Sequence, residues 1–429
     1  MRMLNAVRRA GLMAAGLLGA GLVLAGPAPA SRAAEPVTLH FWVAWDPALP
    51  DSKIAQAKIA QYEASHPGVK IDVQDMAFDA LHDKLITAIA GGQAPDVSWG
   101  LIEWLGELNR MGALADLTDD AAHWPDRSAI YPNVLQALTV NGRLMALPHY
   151  LGIRALLYHA DMLKKAGISS PPDSWAQLVA MAGKIHDANK KYAFAVADDS
   201  VRAPQELLML FAQNDVQIAT SRANGQFRND WDHDAGELKR AAEVMGFYKT
   251  ILDKGVIAPD STDWGWEQED NNFALGQYAT VMDGSWMRLH VPQYPDSMAD
   301  VRIAPPPGFA NRKTFFEVNP FYVFKNSPHP KEAWEFASFL DSKDYQSAAR
   351  PADSPRMDVV GKDMWSTDFT KLASSGVGFP PIALGQVTRD MQEAIGRVLL
   401  RHEDPQAVAK RLGRAINHDL RQSGELASN

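Results

Sequence analysis

The sequence contains no cysteine among its 429 residues. Disulfide bonds, thiolate zinc sites, iron–sulfur clusters, a cysteine nucleophile and a lipid anchor attached through cysteine are therefore excluded. Positive charge is also scarce, because 42 basic residues face 51 acidic ones and the formal net charge is −9. This sign disfavours nucleic acid as a partner. With 46% hydrophobic and 22% charged residues, the composition is that of a globular protein, and the length predicts two domains or three.

Long apolar runs are confined to the N-terminus. Three arginines precede an uncharged stretch over residues 10–26, and small residues that a signal peptidase accepts follow at Ala30 and Ala33. The stretch is shorter than the ~20 residues that span a bilayer, so we predict a signal peptide over residues 1–33 rather than a membrane anchor. Cleavage is expected near Ala30 or Ala33, and removal of residues 1–33 would remove four arginines and no acidic residue. The mature protein is expected to be periplasmic.

Familiar catalytic motifs are missing as well. The chain has no G-x-S-x-G, no G-x-x-x-x-G-K, no G-x-G-x-x-G and no H-E-x-x-H. His233, within the run WDHD, comes nearest to a metal cluster, and we interpret it as part of a solvated loop. Adjacent carboxylates such as Asp198 and Asp199 point to opposite faces of a strand and make poor acid–base pairs. We predict no catalytic residue, metal or cofactor, although glycosidase carboxylates far apart in sequence stay an alternative.

The residues after the signal alternate between strand and helix patterns. Apolar residues predict strands over 37–43, 69–74 and 95–99, with helical faces over 52–62 and 81–89 between them. This β-α-β-α-β order is typical of an open, largely parallel sheet covered by helices.

The rest of the chain continues the alternation with less regularity. Pro148 is expected to separate two strands, and prolines 305–307 form a rigid connector that suggests a domain boundary. The predicted strands are 143–147, 155–158, 278–282 and 301–304, and the predicted helices begin near Trp175, Glu237, Pro330, Val387 and Pro405.

Tryptophan is abundant, with 12 residues. Several lie at predicted strand ends or in loops beside acidic or amide groups: Trp42 near Asp46, Trp99 near Glu103, and Trp286 after the turn DGS. An indole face stacks on the C–H face of a sugar ring, and the sugar hydroxyls bond to carboxylates and amides. Core packing is the alternative for each of them. For Trp175, on an apolar helix face, core packing is our prediction.

Four sequence blocks resemble one family, the extracellular solute-binding proteins of carbohydrate ABC importers, which includes maltose-binding protein. The similarity spans nearly the whole mature chain. In chain order the blocks are YEASHPGVKIDVQ with KLITAIAGGQAPDVSWG and LNRMGALADL, NGRLMALPHYLGIRALLYHADMLKKAGI with PDSWAQLVAMAGKI, FALGQYATVMDGSW, and NPFYVFKNSPHPKEAWEFASFLDS.

This resemblance implies a two-lobed α/β fold, the type II periplasmic binding protein fold. Each lobe would be a mostly parallel sheet flanked by helices, and a hinge of several strands would join the lobes around a ligand cleft. The implied lobes are residues 34–146 plus 303–333 and residues 147–302 plus 334–429.

Site residues follow from the resemblance position by position. Gly152 departs from maltose-binding protein, in which an acidic ligand residue would align, and this puts maltose itself in doubt. Trp264 and Trp266 are added from composition alone. The predicted ligand contacts are Trp42, Asp46, Trp99, Glu103, His149, Tyr150, Arg154, Trp264, Trp266, Trp286, Asn319 and Arg356.

The function implied is that of a binding protein rather than an enzyme. It would hold a sugar or polyol reversibly between its lobes and deliver it, as a monomer, to the permease subunits of an inner-membrane ABC importer. A phosphorylated or acidic sugar such as glycerol phosphate is an alternative, because Arg154 and Arg356 could pair with an anion. A periplasmic carbohydrate-active enzyme and a structural exported protein are the others.

Overall fold

The computed structural model of the protein describes residues 36–45, 50–198, 201–222 and 225–428. The predicted signal peptide and Asp46 lie outside these ranges. Within them the chain forms strands and helices in alternation, so the predicted mixed α/β class is confirmed. None of the helices in the described residues has the length and apolarity needed to cross a membrane.

The strands are short, and most of them follow or precede a helix. They are β1 (Val37–Val43), β2 (Val69–Asp75), β3 (Val97–Trp99), β4 (Thr139–Val140), β5 (Arg143–Leu144), β6 (Leu147–Ile153), β7 (Ala155–His159), β8 (Thr220–Ser221), β9 (Phe227–Arg228), β10 (Thr280–Asp283), β11 (Val301–Ala304), β12 (Thr314–Val323) and β13 (Gly376–Val377).

The helices agree with the predicted ones to within a few residues at most positions. They are α1 (Pro50–Ser65), α2 (Phe78–Ala90), α3 (Leu105–Arg110), α4 (Thr118–Ala122), α5 (Pro132–Ala137), α6 (Ala160–Lys165), α7 (Trp175–Asn189), α8 (Arg202–Gln213), α9 (Ala235–Asp253), α10 (Trp266–Ala274), α11 (Pro295–Met298), α12 (Pro330–Phe339), α13 (Lys343–Ala349), α14 (Met364–Thr370), α15 (Leu384–Leu399) and α16 (Pro405–Gln422).

The first sheet has the strand order β13-β12-β3-β1-β2, and β6 also pairs with β12. Strand β1 lies between β2 and β3 and is parallel to both. Helices α1 and α2 connect these three strands, which confirms the predicted β-α-β-α-β order. Gly92 ends the α2 segment with a φ of 68°, a backbone conformation that glycine adopts without strain.

Strand β12 connects the first sheet to the crossing strand β6, since it runs antiparallel to both β3 and β6. Pro148 of β6 faces Pro320 of β12 at the point where the register shifts. Neither proline has an N–H to donate, so this pair occupies a place where the ladder is already irregular. The predicted strand end at Pro148 is therefore wrong, because β6 runs through the proline and the break before β7 falls at Arg154.

The second sheet has three strands in the order β10-β7-β11, and both outer strands are antiparallel to β7. This differs from the mostly parallel second sheet that we expected. Strand β7 follows β6 after a single residue, so it enters from the crossing strands and runs against β10 and β11. Isolated parallel bridges at Tyr192–Tyr278 and Phe194–Ile257 lie near strands β10 and β7.

Helices α12 and α13 pack beside the first sheet, although the sequence placed residues 334–429 in the second lobe. The Phe336 ring lies 5.1 Å from the ring of Phe41 on β1 and 5.4 Å from that of Tyr62 on α1. Helix α13 in turn is held to α1 by a 2.6 Å ion pair between Lys58 and Asp344. The division into lobes stays a prediction, and these contacts move residues 330–349 toward the first one.

Candidate ligand-binding site

The crossing strands β6 and β12 bring three predicted site residues, Tyr150, Asn319 and Arg154, to one face together with Gly152 and Glu317. Tyr150 pairs with Asn319, and Gly152 pairs with Glu317. Cross-strand partners share a face, as do residues two apart on one strand, so Arg154 follows on the same side. The face therefore belongs to the first sheet, where β6 leads into β7 of the second sheet.

Trp286 packs over this face, and two glycines make room for its indole ring. A Cβ atom on Gly284 would lie 1.9 Å from the ring, and one on Gly152 would lie 3.1 Å from the ring and 2.8 Å from that of Tyr150. The sequence departure at Gly152 thus has a steric reason: any side chain there would displace Tyr150 or Trp286.

Arginine side chains lie against the same indole. The Cζ atom of Arg154 is 4.5 Å from the ring centroid of Trp286, and that of Arg202 is 5.9 Å away. Both distances are within the range of a cation–π interaction. One part of the indole is therefore already in contact with protein, and only the rest of its surface is available to a ligand.

Arg154 connects Trp286 to the first sheet through a chain of hydrogen bonds. Its Nη2 atom donates to Gln205 Oε1 at 2.6 Å, and Gln205 Nε2 donates to Glu103 Oε1 at 2.9 Å. Arg154 also forms ion pairs with Asp283 at 3.4 Å and with Glu317 at 3.6 Å. Three acceptors therefore contact the two terminal nitrogens of this guanidinium, while its Nε atom is buried and has no hydrogen-bond partner in the described residues.

Glu103 lies in a 3-10 turn over Ile102–Trp104, directly after β3. Burial, and after it the nearby charge of Glu317, raise the pKa of its carboxyl to about 7. Its second oxygen, Oε2, is buried and has no hydrogen-bond partner among the residues that the structure describes. Asn319 Oδ1 is in the same condition, while its Nδ2 donates to Glu317 at 3.2 Å. The site therefore offers two buried acceptors that a ligand's hydroxyl groups could satisfy.

A buried charge cluster lies beside the site, and our sequence analysis did not predict it. Arg202 bonds to Glu269 at 2.6 Å and Asp270 at 2.5 Å and lies 3.3 Å from Asp283. Burial, and after it the charge of Glu269, raise the pKa of Glu206 to about 8. Two of these residues, Arg202 and Glu206, belong to α8, where both the polar and the apolar residues of the first turns are buried.

Aromatic residues line the first-sheet side. Trp99 and Trp104 contact each other edge to face, with ring centroids 6.2 Å apart. The His82 ring lies 4.9 Å from Trp104, and its Nε2 is 3.0 Å from Glu107. Trp42 lies further along the sheet edge, with Lys84 Nζ 4.8 Å from its ring centroid. Of this group, Trp104 and His82 were not predicted.

Four predicted residues lie apart from this cluster. His149 is 0% exposed, and its ring is 4.1 Å from that of Phe321. Burial lowers its pKa well below the ordinary value, so the ring is neutral. Arg356 donates to Asp126 and Asp358 and to a backbone carbonyl, which fastens a loop.

Trp264 and Trp266 occupy the start of α10 on the second-sheet side. The Trp264 ring lies 6.1 Å from that of Tyr278, whereas Trp266 is 45% exposed. A ligand role for these four residues, and for Asp46 outside the described ranges, stays a prediction. No group of three or more His, Asp or Glu side chains in the described part of the chain could hold a metal ion.

Comparisons with known proteins agree on one family. The family described as bacterial extracellular solute-binding protein matches residues 46–347. A binding protein of Brucella abortus is 24% identical over 361 residues, which cover 81% of this chain and 85% of the relative.

Two solved structures have the same fold. The sugar-binding protein MalE of Xanthomonas citri aligns with a TM-score of 0.76 and 22% identity, over 90% of this chain and 98% of that one. An ABC transporter solute-binding protein of Thermotoga lettingae, bound with α-D-tagatose, aligns with a TM-score of 0.73 and 24% identity, over 90% of this chain and all of that one. The type II periplasmic binding protein fold is thereby confirmed.

Proposed function

The chain belongs to the bacterial extracellular solute-binding proteins, and from this premise we propose that it binds a neutral carbohydrate against Trp286 and delivers it to an ABC permease. The observation that carries the proposal is the pairing of an indole surface with two unpartnered buried acceptors, Glu103 Oε2 and Asn319 Oδ1. A sugar ring can contact the indole surface and the two acceptors together, since its C–H face stacks on indole and its hydroxyls donate hydrogen bonds. The ligand of the tagatose-bound structure belongs to the same chemical class.

The anionic-sugar alternative loses its support from the side chains that suggested it. Arg154 is already paired with Asp283 and Glu317, and Arg356 with Asp126 and Asp358. An anion at Arg154 would compete with Asp283, which is buried, and leaving that carboxylate unpaired is costly. A neutral ligand carries no such cost.

Ligand binding would close two lobes around the sugar. In this proposal β6 and β12 form the hinge, since they connect the two sheets. Glu103 and Gln205 lie on either side of it, so a ligand bonded to both would favour the closed state. Small-angle scattering should show a smaller radius of gyration at saturation. Identical curves with and without ligand would overturn the closure and leave the binding intact.

The binding claim is tested by a thermal-shift screen over monosaccharides, oligosaccharides, alditols and sugar phosphates. A ligand at a hundred times its dissociation constant should stabilise the folded state by about 2.7 kcal/mol. A panel with no shift at millimolar concentration would overturn the proposal. A response to sugar phosphates alone would restore the anionic alternative.

The chain's family consists of binding proteins, and the proposal extends this to an absence of catalysis in this chain. Incubation with the sugar that responds in the screen, followed by chromatography, should return the sugar unchanged. Membership of an extracellular family also makes this an exported protein. We further propose a periplasmic monomer cleaved near Ala30 or Ala33, which mass spectrometry of the secreted protein would locate.

A further inference from the structure

Gln205 of α8 is a buried amide that lies between two charged side chains. Its Oε1 atom accepts a hydrogen bond from Arg154 Nη2 at 2.6 Å, and its Nε2 atom donates to Glu103 Oε1 at 2.9 Å. Arg154 in turn lies 4.5 Å from the ring centroid of Trp286. Arg154, Gln205 and Glu103 therefore form one connected path that starts at the indole, which we call the Gln205 relay.

The chemistry of the two partners fixes the orientation of the Gln205 amide. A guanidinium has donors and no acceptor, so the amide atom that faces Arg154 must be the oxygen. The NH2 group must then face Glu103. Since that group only donates, Glu103 Oε1 accepts in both protonation states of the carboxyl. A proton bound by this carboxyl therefore lies on Oε2, and Arg154 determines this position through Gln205.

Glu103 Oε2 is the oxygen that the relay leaves for a ligand. It is buried and has no hydrogen-bond partner in the described residues. Because the pKa of the carboxyl is raised to about 7, its acid and ionised forms are both populated near neutral pH. In the acid form Oε2 carries a hydrogen and donates, whereas in the ionised form it accepts. The same atom thus offers a ligand opposite hydrogen bonds on the two sides of neutral pH.

Other charged groups act on this carboxyl without bonding to Oε2. Burial and Glu317 raise its pKa, and the hydrogen bond from Gln205 and the charge of Arg154 lower it. The charged and titratable side chains that lie near Glu103 or line the cavity of about 250 Å³ beside it are Arg154, Glu317, Tyr322, His82, Glu107 and Arg389. Gln205 is the side chain that bonds to the carboxyl, so it determines which oxygen a ligand meets.

We propose that Gln205 is a positioning residue that leaves Glu103 Oε2 to the ligand, so that the site selects a donor group when Glu103 is ionised and an acceptor group when it is protonated. The inference rests on the proposed function, because it takes Glu103 as a ligand contact. A sugar hydroxyl satisfies both forms, since it can donate or accept. A group that only accepts satisfies the acid form alone. Discrimination between these two kinds of group should therefore increase with pH.

Two isosteric variants fix Oε2 in opposite states. In Glu103→Gln the new amide oxygen accepts from Gln205 Nε2, so an NH2 group faces the ligand and donates at every pH. Gln205→Glu keeps an oxygen for Arg154 and places its second oxygen against Glu103 Oε1. Two carboxyls in contact share a proton, which lies between them and leaves Oε2 as an acceptor. Gln177→Glu is the control, with the same charge change at an exposed position of α7.

Calorimetry measures the discrimination at about pH 5.5 and about pH 8.5, on either side of the pKa of about 7. The probes are D-glucose, D-galactose, D-mannose and D-tagatose with their monodeoxyfluoro derivatives, in which fluorine replaces one hydroxyl and cannot donate. The wild type should bind one derivative about tenfold more weakly than its parent sugar at the higher pH, and about threefold or less at the lower. Glu103→Gln should show the small difference at both pH values, Gln205→Glu the large one, and Gln177→Glu the wild-type pattern.

A titration of the ligand-free protein tests the relay without any sugar. In protein labelled with carbon-13 at the glutamate carboxyls, the resonance that Glu103→Gln lacks should titrate near pH 7 in the wild type and in Gln177→Glu. In Gln205→Glu its midpoint should rise, because a shared proton replaces the hydrogen bond that lowers the pKa. An unmoved midpoint, or a fluorine penalty that is equal at both pH values in the wild type, overturns the role of Gln205 and leaves sugar binding in place. A moved midpoint in a protein that binds no sugar overturns the proposed function, and the ligand selection with it.

Discussion

Trp175 and Trp286 are the same side chain in two opposite surroundings. Trp175 is 2% exposed on α7, with its ring 4.9 Å from that of Phe247 and its Nε1 donating to Gln213 at 2.7 Å. Trp286 is partly exposed beyond β10 and lies against the guanidinium groups of Arg154 and Arg202. The Trp175 ring is packed against other side chains and its N–H is hydrogen-bonded, whereas the Trp286 ring lies near charged groups and unpartnered acceptors.

The difference shows how to distinguish a structural tryptophan from a binding one. A core ring has aromatic and aliphatic neighbours that exclude water, and it stabilises the fold in every state of the protein. A binding ring lies beside buried acceptors that have no hydrogen-bond partner, and a ligand that stacks on the ring can donate hydrogen bonds to those acceptors. Stability and affinity should therefore respond to the two residues in opposite ways.

The largest effect is expected at Trp175. Trp175→Ala removes a buried ring, leaves a cavity and removes the hydrogen-bond donor to the Gln213 oxygen. The free energy of unfolding should therefore fall by about 3 to 5 kcal/mol. Denaturant unfolding should show this loss equally with and without ligand. Trp175→Phe, which keeps most of the volume, is the control and should lose less. A Trp175→Ala protein of unchanged stability would contradict the comparison.

The converse result is expected at Trp286. Trp286→Ala should weaken ligand binding by ~3 kcal/mol, or more than a hundredfold, through lost stacking and lost buried area. The ligand-free protein should melt close to the wild type, because the ring is only partly packed.

Gly284→Ala gives an independent check of the Trp286 assignment. It retains the indole but places a methyl group 1.9 Å from it, so the ring must move and affinity should fall as well. Normal affinity together with early melting in Trp286→Ala would identify Trp286 as a core residue.

The two surroundings also differ in how much of them the sequence could predict. Strands β1, β2 and β3 and helix α7 follow periodic apolar patterns, and the structure confirms all four. Helix α8 was not predicted, although Arg202, Gln205 and Glu206 share one polar face of it, and an amphipathic pattern does not indicate that such a face is buried in a charge cluster. Apolar periodicity in the sequence therefore predicts the elements around Trp175 and does not predict much of what surrounds Trp286.

The candidate site shows the same limit. Trp286 and Glu103 were identified from short motifs, but Gln205, Asp283 and Glu317, which determine their electrostatics, come from separate elements far apart in the sequence. Position in a motif also fails to distinguish a ligand contact from a packed neighbour. His149 adjoins Tyr150 in the chain, yet its ring points into the core against Phe321.

A pH titration sharpens the comparison, because the surroundings of Trp286 contain Glu103, a half-buried acid whose Oε2 has no hydrogen-bond partner in the described residues. The pKa of Glu103 is raised from 4.5 to about 7 by burial and by Glu317, while Arg154 opposes the shift. The folded state then holds a proton that the unfolded state releases, so stability should fall as pH rises from about 4.5 through about 7. Because Glu103 is partly exposed, we expect about 1 to 2 kcal/mol.

Glu103→Gln tests the assignment of that loss. Glutamine retains an oxygen to accept from Gln205 and carries no charge, so the variant should lack this part of the pH dependence and exceed wild-type stability at pH 8. Trp175→Phe should keep the wild-type profile, since its change lies far from any of these carboxyls. An unaltered profile in Glu103→Gln would assign the dependence to other groups, with Glu206 the first to examine.

The smallest effect is expected at Trp266, which belongs to neither surrounding. It is 45% exposed at the first position of α10. An exposed substitution away from special features changes stability by about 0.5 kcal/mol or less, so Trp266→Ala should melt like the wild type. The composition of the sequence alone suggested Trp266 as a ligand contact, and the ligand affinity of Trp266→Ala tests that prediction. If affinity falls tenfold or more at unchanged stability, the stacking surface extends from Trp286 to α10. If affinity and stability are both unchanged, Trp266 is not a ligand contact. Exposure alone, without a neighbouring unpartnered acceptor, would then be insufficient to identify a binding tryptophan.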